Sequence, residues 1–187
     1  MSKLRLVGKD ESPRESPDAL ALARAAAGEL GALGEVFDRH AASLHRFVVR
    51  STGGRDAEDV VQTTFVRAMT LASTFDRGAP SARPWLFGIA SRVILEHRRA
   101  FARLSRALGR LASSEPPPAR IETATSDVDR ALARLTTAKR VVLVLAEVEG
   151  YGCEEIALML DVPVGTVWTR LHHARREVRA SLEEGNR

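Results

Sequence analysis

EEIALMLDVPVGTVWTRLHHARREV, residues 154–178, decides the reading of this chain. It spells a helix, a tight turn and a second helix. Val162, Pro163 and Gly165 give the turn its restricted or permissive backbone angles, and Thr166 reads as the N-cap of the second helix, its hydroxyl accepting a free backbone N–H. At about 100° per residue, Val167, Leu171, Ala174, Val178 and Leu182 share one narrow face. Thr169, His172, His173 and Arg176 occupy the opposite face, with Trp168 and Arg179 on its shoulder. This is the pattern of a helix-turn-helix, which lays its second helix in a DNA major groove. The outward donors suit phosphates and base edges. A solvated amphipathic helix has the same spacing, so the rest of the chain has to arbitrate.

The 187 residues hold one medium domain or two small ones. Aromatic residues are 5%, and Ala, Leu, Val and Arg dominate, which favours helices over sheets. The formal net charge is +4 and the sequence pI about 9.9, a balance that suits polyanions. One cysteine, Cys153, excludes an intrachain disulfide and fits a reducing compartment. No apolar run approaches the roughly 20 residues of a bilayer span, and MSKLRLVGKDESPRESPD lacks the apolar core of a signal peptide. A cytoplasmic location is expected.

Residues 1–18 read as polar and disordered, within an N-terminal extension of residues 1–29. An Ala-rich helix is expected over 19–28, interrupted by Gly28, Gly31 and Gly34. A second helix follows from Leu33 to Arg50, with Val36, Phe37, Leu44, Phe47 and Val48 as its apolar set. After the STGGRD loop, a third runs from Ala57 to Ser73, with Val61, Phe65, Ala68 and Ala72 inward and Asp59, Thr63, Val66, Arg67 and Thr70 outward. The loop FDRGAPSAR, residues 75–83, leads to a fourth helix that Pro84 suits at its first turn. Residues 83–110 hold seven arginines against one acid, Glu96. Arg92, Arg99, Arg103, Arg106 and Arg110 fall in one sector, and Leu86, Val93, Ile94, Phe101, Leu104, Leu108 and Leu111 project away from it. The expectation is a basic rail on a buried strut, fitted to a polyanion because mixed signs would serve solubility better. SSEPPPARIETATS, residues 113–126, is a proline-stiffened linker. A second helical module starts near Asp127, and Val141, Val142, Leu145 and Val148 offer its last two helices a packing face.

FDRHAASLHRFVVRSTGGRDAEDVVQTTFVRA and RPWLFGIASRVILEHRR resemble region 2 of bacterial sigma factors. ALARLTTAKRVVLVLAEVEGYGCEEIALMLDVPVGTVWTRLHHARREV resembles region 4. With no room for region 3 and no region 1.1, the chain resembles the extracytoplasmic-function (ECF) group. The resemblance implies an all-α fold of two small helical domains, region 2 at 30–105 and region 4 at 129–184, joined by a flexible linker at 106–128. It implies a transcription-initiation factor that recruits core RNA polymerase through the β′ clamp helices and β flap, binds promoter DNA, and is held by an anti-sigma factor.

Residue by residue, it implies that Asp59, Val60, Gln62, Thr63, Val66 and Arg67 dock on the polymerase. Asp76, Arg77, Ser81 and Arg83 of the loop, with Arg92 and Arg99 of the following helix, would read and melt the −10 element. Thr166, Trp168, Thr169, Arg170, His172, His173 and Arg176 would meet the −35 element. Trp85 and Phe87 invite base stacking, although an apolar run after a proline favours core packing for Trp85. Thr63 stands where relatives commonly carry Glu, Arg92 where they carry Asn, and Trp168 and His173 where they carry Lys or Arg. These departures bear on which promoter is read.

A free-standing helix-turn-helix regulator would explain the last two helices but not the region-2-like module; DNA binding without polymerase would mark it. Catalysis is not expected. His40, His45, His97, His172 and His173 are scattered without metal-ligand spacing, and neither a P-loop nor a dinucleotide glycine pattern is present. No cofactor or metal is expected.

Overall fold

The computed structural model describes residues 15–54, 56–109 and 126–185, and every regular element among them is helical. Of the linker expected at 106–128, residues 110–125 lie outside the described residues, as do residues 1–14, whereas 106–109 and 127–128 are helical. Four helices form the first module: α1 (Pro17–Ala26), α2 (Leu30–Thr52), α3 (Ala57–Leu71), extended by a 3-10 turn over Ala72–Thr74, and α4 (Arg83–Gly109). Four more form the second: α5 (Asp127–Arg134), α6 (Thr137–Leu143), which continues as a π turn over Val144–Val148, α7 (Cys153–Leu160) and α8 (Val164–Gly185).

Local chemistry explains the boundaries. Ser16 caps α1 by accepting the Ala19 N–H at 3.2 Å, with Pro17 in the first turn. Of the three early glycines only Gly28, at φ +100°, breaks the chain; Gly31 and Gly34 are absorbed into α2. Tertiary packing of the α2 inner face outweighs their helix propensity. Ser126 caps α5, accepting the Asp129 N–H at 3.1 Å.

The core of the first module holds Leu22, Val36, Leu44, Phe47, Val48, Val60, Phe65, Leu86, Phe87 and Ile94. Phe47 of α2 and Phe87 of α4 stack with centroids 4.7 Å apart, which settles Phe87 as core. Trp85 is half-buried, edge-on to Phe75 at 5.4 Å. Three of the apolar positions that the sequence groups for packing in these helices are exposed. Phe37 is exposed, lying on the rim of a groove beside Phe65 at 4.8 Å. Phe101 and Leu104 are 55% and 57% exposed, because α4 runs past the end of the bundle after Ile94 and nothing among the described residues covers its distal turns. The strut is buried only along its first half.

The second module packs α8 across α5, α6 and α7, with Val141, Val142, Val144, Leu145, Ile156, Val167, Leu171 and Ala174 inside. Val148 is exposed instead of inward. The π turn adds about one residue to the local repeat and rotates the residues after it out of phase.

The modules pack on each other. Cβ space at Gly88 of α4 ends 2.9 Å from the Met159 carbonyl oxygen of α7, an approach that only glycine permits. Phe87 meets Tyr151 edge-on at 6.1 Å, and Arg83 Nη2 donates to Glu149 Oε2 at 2.5 Å. The two helical units therefore share a continuous apolar interior.

Candidate nucleic-acid interface

The helix-turn-helix is α7, a turn at residues 161–163, and α8. Glu155 reaches back to accept the Gly152 N–H at 2.7 Å and fixes the start of α7. Asp161 ends that helix in the left-handed region at φ +53°; the Val162 N–H then returns to the Ala157 carbonyl at 3.1 Å. Thr166 is not the N-cap. Pro163 supplies a preset φ, its carbonyl accepts the Thr166 N–H at 2.8 Å, and the helix begins at Val164. Thr166 sits in the first turn, half-buried.

Val167, Leu171 and Ala174 are buried as the spacing requires, and Val178 and Leu182 are half-buried. Trp168, Thr169, His172 and Arg176 are exposed, with Trp168 at 61%; Arg170 and His173 are half-buried on the flanks. The His172 and His173 rings lie 5.7 Å apart and nearly perpendicular, splayed as adjacent helical residues must be. Thr169 Oγ1 donates to the Gly165 carbonyl at 2.9 Å, which leaves its lone pairs outward. Arg175, which sequence reasoning passed over, is tied to Glu147 at 2.6 Å, whereas Arg176 forms no ion pair among the described residues.

The second cationic surface is the 75–83 loop and α4. Asp76 Oδ1 accepts the Gly78 N–H at 2.9 Å and shapes the tip. Arg77 pairs with Glu15 at 2.9 Å. Ser81 Oγ donates to Asp18 Oδ2 at 3.2 Å and accepts the Arg83 N–H at 3.2 Å. Arg83 is committed to Glu149 and lies 5.1 Å from the Phe87 ring centroid. Arg92 and Arg99 are exposed. Arg106 back-bonds to the Ala102 carbonyl at 3.0 Å, and Arg110 lies outside the described residues.

The third surface is α3. Asp59, Gln62 and Val66 are exposed, and Thr63 and Arg67 half-buried, along one face. Val60 is corrected: it is 1% exposed and belongs to the core, because it points inward beside Thr64 and Val61. Arg67 Nη2 donates to Glu96 of α4 at 2.6 Å, and this hydrogen bond holds the Glu96 carboxyl below its ordinary value. Next to the face, Leu33, Phe37, Val61, Phe65, Val66 and Met69 line an apolar groove of about 420 Å³. A larger groove of about 980 Å³, with Val128, Leu132, Val148, Val178 and Leu182 in its wall, opens on the second module. Neither groove was legible in the sequence. Each depends on an exposed apolar residue that the sequence groups with the packing positions, Phe37 or Val148. Among the described residues no helix is long and apolar enough to cross a membrane.

Comparison with known proteins agrees with this layout. The Sigma-70 region 2 family model matches residues 36–104, and the Sigma-70, region 4 model matches residues 125–178. The ECF RNA polymerase sigma factor SigL of Mycobacterium tuberculosis (strain ATCC 25618 / H37Rv) is 37% identical over 171 residues, covering 86% of this chain and 94% of that protein. The structure of CnrH in complex with the cytosolic domain of CnrY matches at a TM-score of 0.61 and 32% identity, covering 90% of this chain and 99% of that one. The sigma factor RpoE in complex with the anti-sigma factor NepR from Bartonella quintana shares the fold, at a TM-score of 0.58 and 22% identity over 80% of this chain and 96% of that one. Both modules are matched in order and a relative is aligned along almost its full length, so this chain belongs to the ECF RNA polymerase sigma factors.

Proposed function

We propose a division of labour among the surfaces of this alternative sigma factor, which directs RNA polymerase to specific promoters. The outer face of α8, with Trp168, Thr169, His172 and Arg176 exposed and Thr166, Arg170 and His173 half-buried at its edges, enters the major groove at the −35 element. Arg176 is the strongest base-edge candidate, since a guanidinium reads guanine bidentately. The 75–83 loop, with Asp76, Arg77, Ser81 and Arg83, captures unpaired −10 bases, and Arg92 and Arg99 hold the flanking phosphates. Asp59, Gln62, Thr63, Val66 and Arg67 dock on the β′ clamp helices of core polymerase.

The observation that carries this reading is one exposed face of α8 offering donors, an indole and a guanidinium free of ion pairs among the described residues, opposite a buried apolar stripe. Each contact is weak alone. Joined to polymerase at fixed separation, the two DNA contacts become effectively intramolecular and multiply in affinity. Capture of unpaired bases offsets an unstacking cost of a few kcal/mol. The chain needs no nucleophile or metal, because the polymerase supplies the chemistry, and it works in the cytoplasm. The apolar grooves beside α3 and between α5 and α8 suit amphipathic partner helices. They offer the β flap and an anti-sigma factor overlapping footholds, so that holoenzyme formation and inhibition exclude each other.

Transcription reconstituted with core polymerase over a genomic promoter pool tests the reading. A defined set of runoff products is expected; an unselective or empty set overturns it. Sequence-specific gel shifts without polymerase would favour a free-standing regulator.

A further inference from the structure

Glu15 and Ser16, just ahead of α1, and Asp18 in its first turn hold the 75–82 loop at four points. Glu15 pairs with Arg77 at 2.9 Å. Ser16 Oγ donates to the Ala79 carbonyl at 3.0 Å. Asp18 Oδ2 accepts the Ser81 hydroxyl at 3.2 Å and the Ala82 N–H at 2.7 Å. Ala82 immediately precedes α4, and its own carbonyl accepts the Leu86 N–H at 2.9 Å. A carboxylate from 64 residues away therefore serves the amino end of α4, where a negative charge is favoured by the helix dipole.

Asp18 is only 5% exposed, and a buried carboxylate is tolerated only when its oxygens are engaged. Two residues of α2 stand against it: His40 Nε2 at 2.8 Å from Oδ2, and Arg39 Nη1, which forms an ion pair at 2.9 Å from Oδ1 without a hydrogen bond to it. Burial alone would raise its pKa, but the Ala82 N–H, His40 and Arg39 together hold it below the ordinary carboxylate value. The group is ionised and spans three elements at once.

We propose that α1 is a positioning element for the −10 loop, in which Asp18 fixes Ser81 and Ala82 and Ser16 fixes Ala79, so that the loop meets the unpaired promoter strand already in its capturing shape. This rests on the assignment of the 75–83 loop to the −10 element. Without the latch the loop still binds an open strand, but it must be ordered at the moment of melting, and that entropy cost falls on the opening step. A helix that only stabilised the fold would affect every template alike.

The test uses holoenzyme reconstituted from the full chain and core polymerase. Runoff is compared on a duplex promoter, on the same promoter with its −10 segment pre-opened by mismatches, and on a duplex with that segment scrambled. Asp18→Asn, isosteric but uncharged, is expected to lower the duplex-to-open ratio by about ten-fold. Output on the pre-opened template and competition for core polymerase should stay at wild-type levels. Ser16→Ala should lower the ratio in the same direction by about three-fold, and it carries the test if Asp18→Asn fails to assemble. A wild-type ratio in an assembled Asp18→Asn holoenzyme overturns the proposal, as does an equal loss on both templates. If wild-type holoenzyme transcribes the scrambled duplex as well as the intact one, the −10 assignment itself fails. If scrambling matters and the variants behave as wild type, only the latch fails.

Discussion

Phe47 and Phe87 are fully buried and stacked across α2 and α4, so their loss leaves a hole that neither helix can close alone. Phe47→Ala is expected to cost about 3–5 kcal/mol, read as a fall in the urea midpoint at unchanged slope. On the surface the outcome inverts. Arg176→Ala leaves the fold intact, because that side chain is exposed and makes no ion pair among the described residues. It should weaken promoter-specific transcription by the equivalent of about 1–3 kcal/mol while core competition stays unchanged; unaltered output would mean that this face of α8 misses the groove. Residues of these two kinds are legible where one helix repeat governs them. Val167, Leu171 and Ala174 fall inward because α8 is regular and lies across a filled interior. Phe37 and Val148 escape that reading because their exposure depends on a groove edge or a π turn, neither of which leaves a periodic trace, whereas Val60 shares the inward spacing of Thr64 and Ala68 and only the resemblance places it on the polymerase face.

At the scale of elements, α1 shows how much of a helix can be invisible in its own residues. The Ala-rich stretch announces a helix, and Pro17 and Ser16 mark its start, yet nothing local says that Asp18 will serve α4. That contact also gives α1 a pH signature. The folded Asp18 titrates below its ordinary value, so its contribution to stability is fully present above the unfolded carboxylate pKa of roughly 3.9. The contribution is lost as pH falls through the lower, folded value. Thermal melts of the wild type and Asp18→Asn should therefore differ most near neutral pH and converge below about pH 4. A gap that persists undiminished in acid would mean that the carboxylate charge contributes nothing to holding α1. The length of α4 is a second lesson at this scale. Its arginine sector is plain in the sequence, but where the bundle stops covering it is not, since Phe101 and Leu104 keep the apolar period after the neighbouring helices have ended.

For the whole molecule, the order of the two modules can be read from sequence and their mutual packing cannot. Arg83 and Glu149 lie 66 residues apart, and no spacing rule reaches that far. The packed arrangement is held by one set of contacts and opposed by another. Gly88 lets α4 approach the Met159 carbonyl, and the Arg83–Glu149 pair and the Phe87–Tyr151 contact close around it. Against them stands Arg140 of α6, 6% exposed and without an ion pair among the described residues. Burial, reinforced by Arg98 of α4, pushes its guanidinium down to about 10. Desolvating a charge that no carboxylate neutralises costs several kcal/mol, so this residue loads the contact it is buried in. Two substitutions should then move the molecule in opposite directions. Gly88→Val places branched carbons against a backbone oxygen that cannot yield locally. It should part the modules, raising the radius of gyration in small-angle scattering while helical content in circular dichroism stays constant. Arg140→Met keeps the unbranched stem of the side chain and removes its guanidinium and charge. It should leave the radius unchanged and raise the thermal midpoint. A midpoint that instead falls would mean that the buried guanidinium stabilises the folded chain, and that the contact between the modules carries no such load.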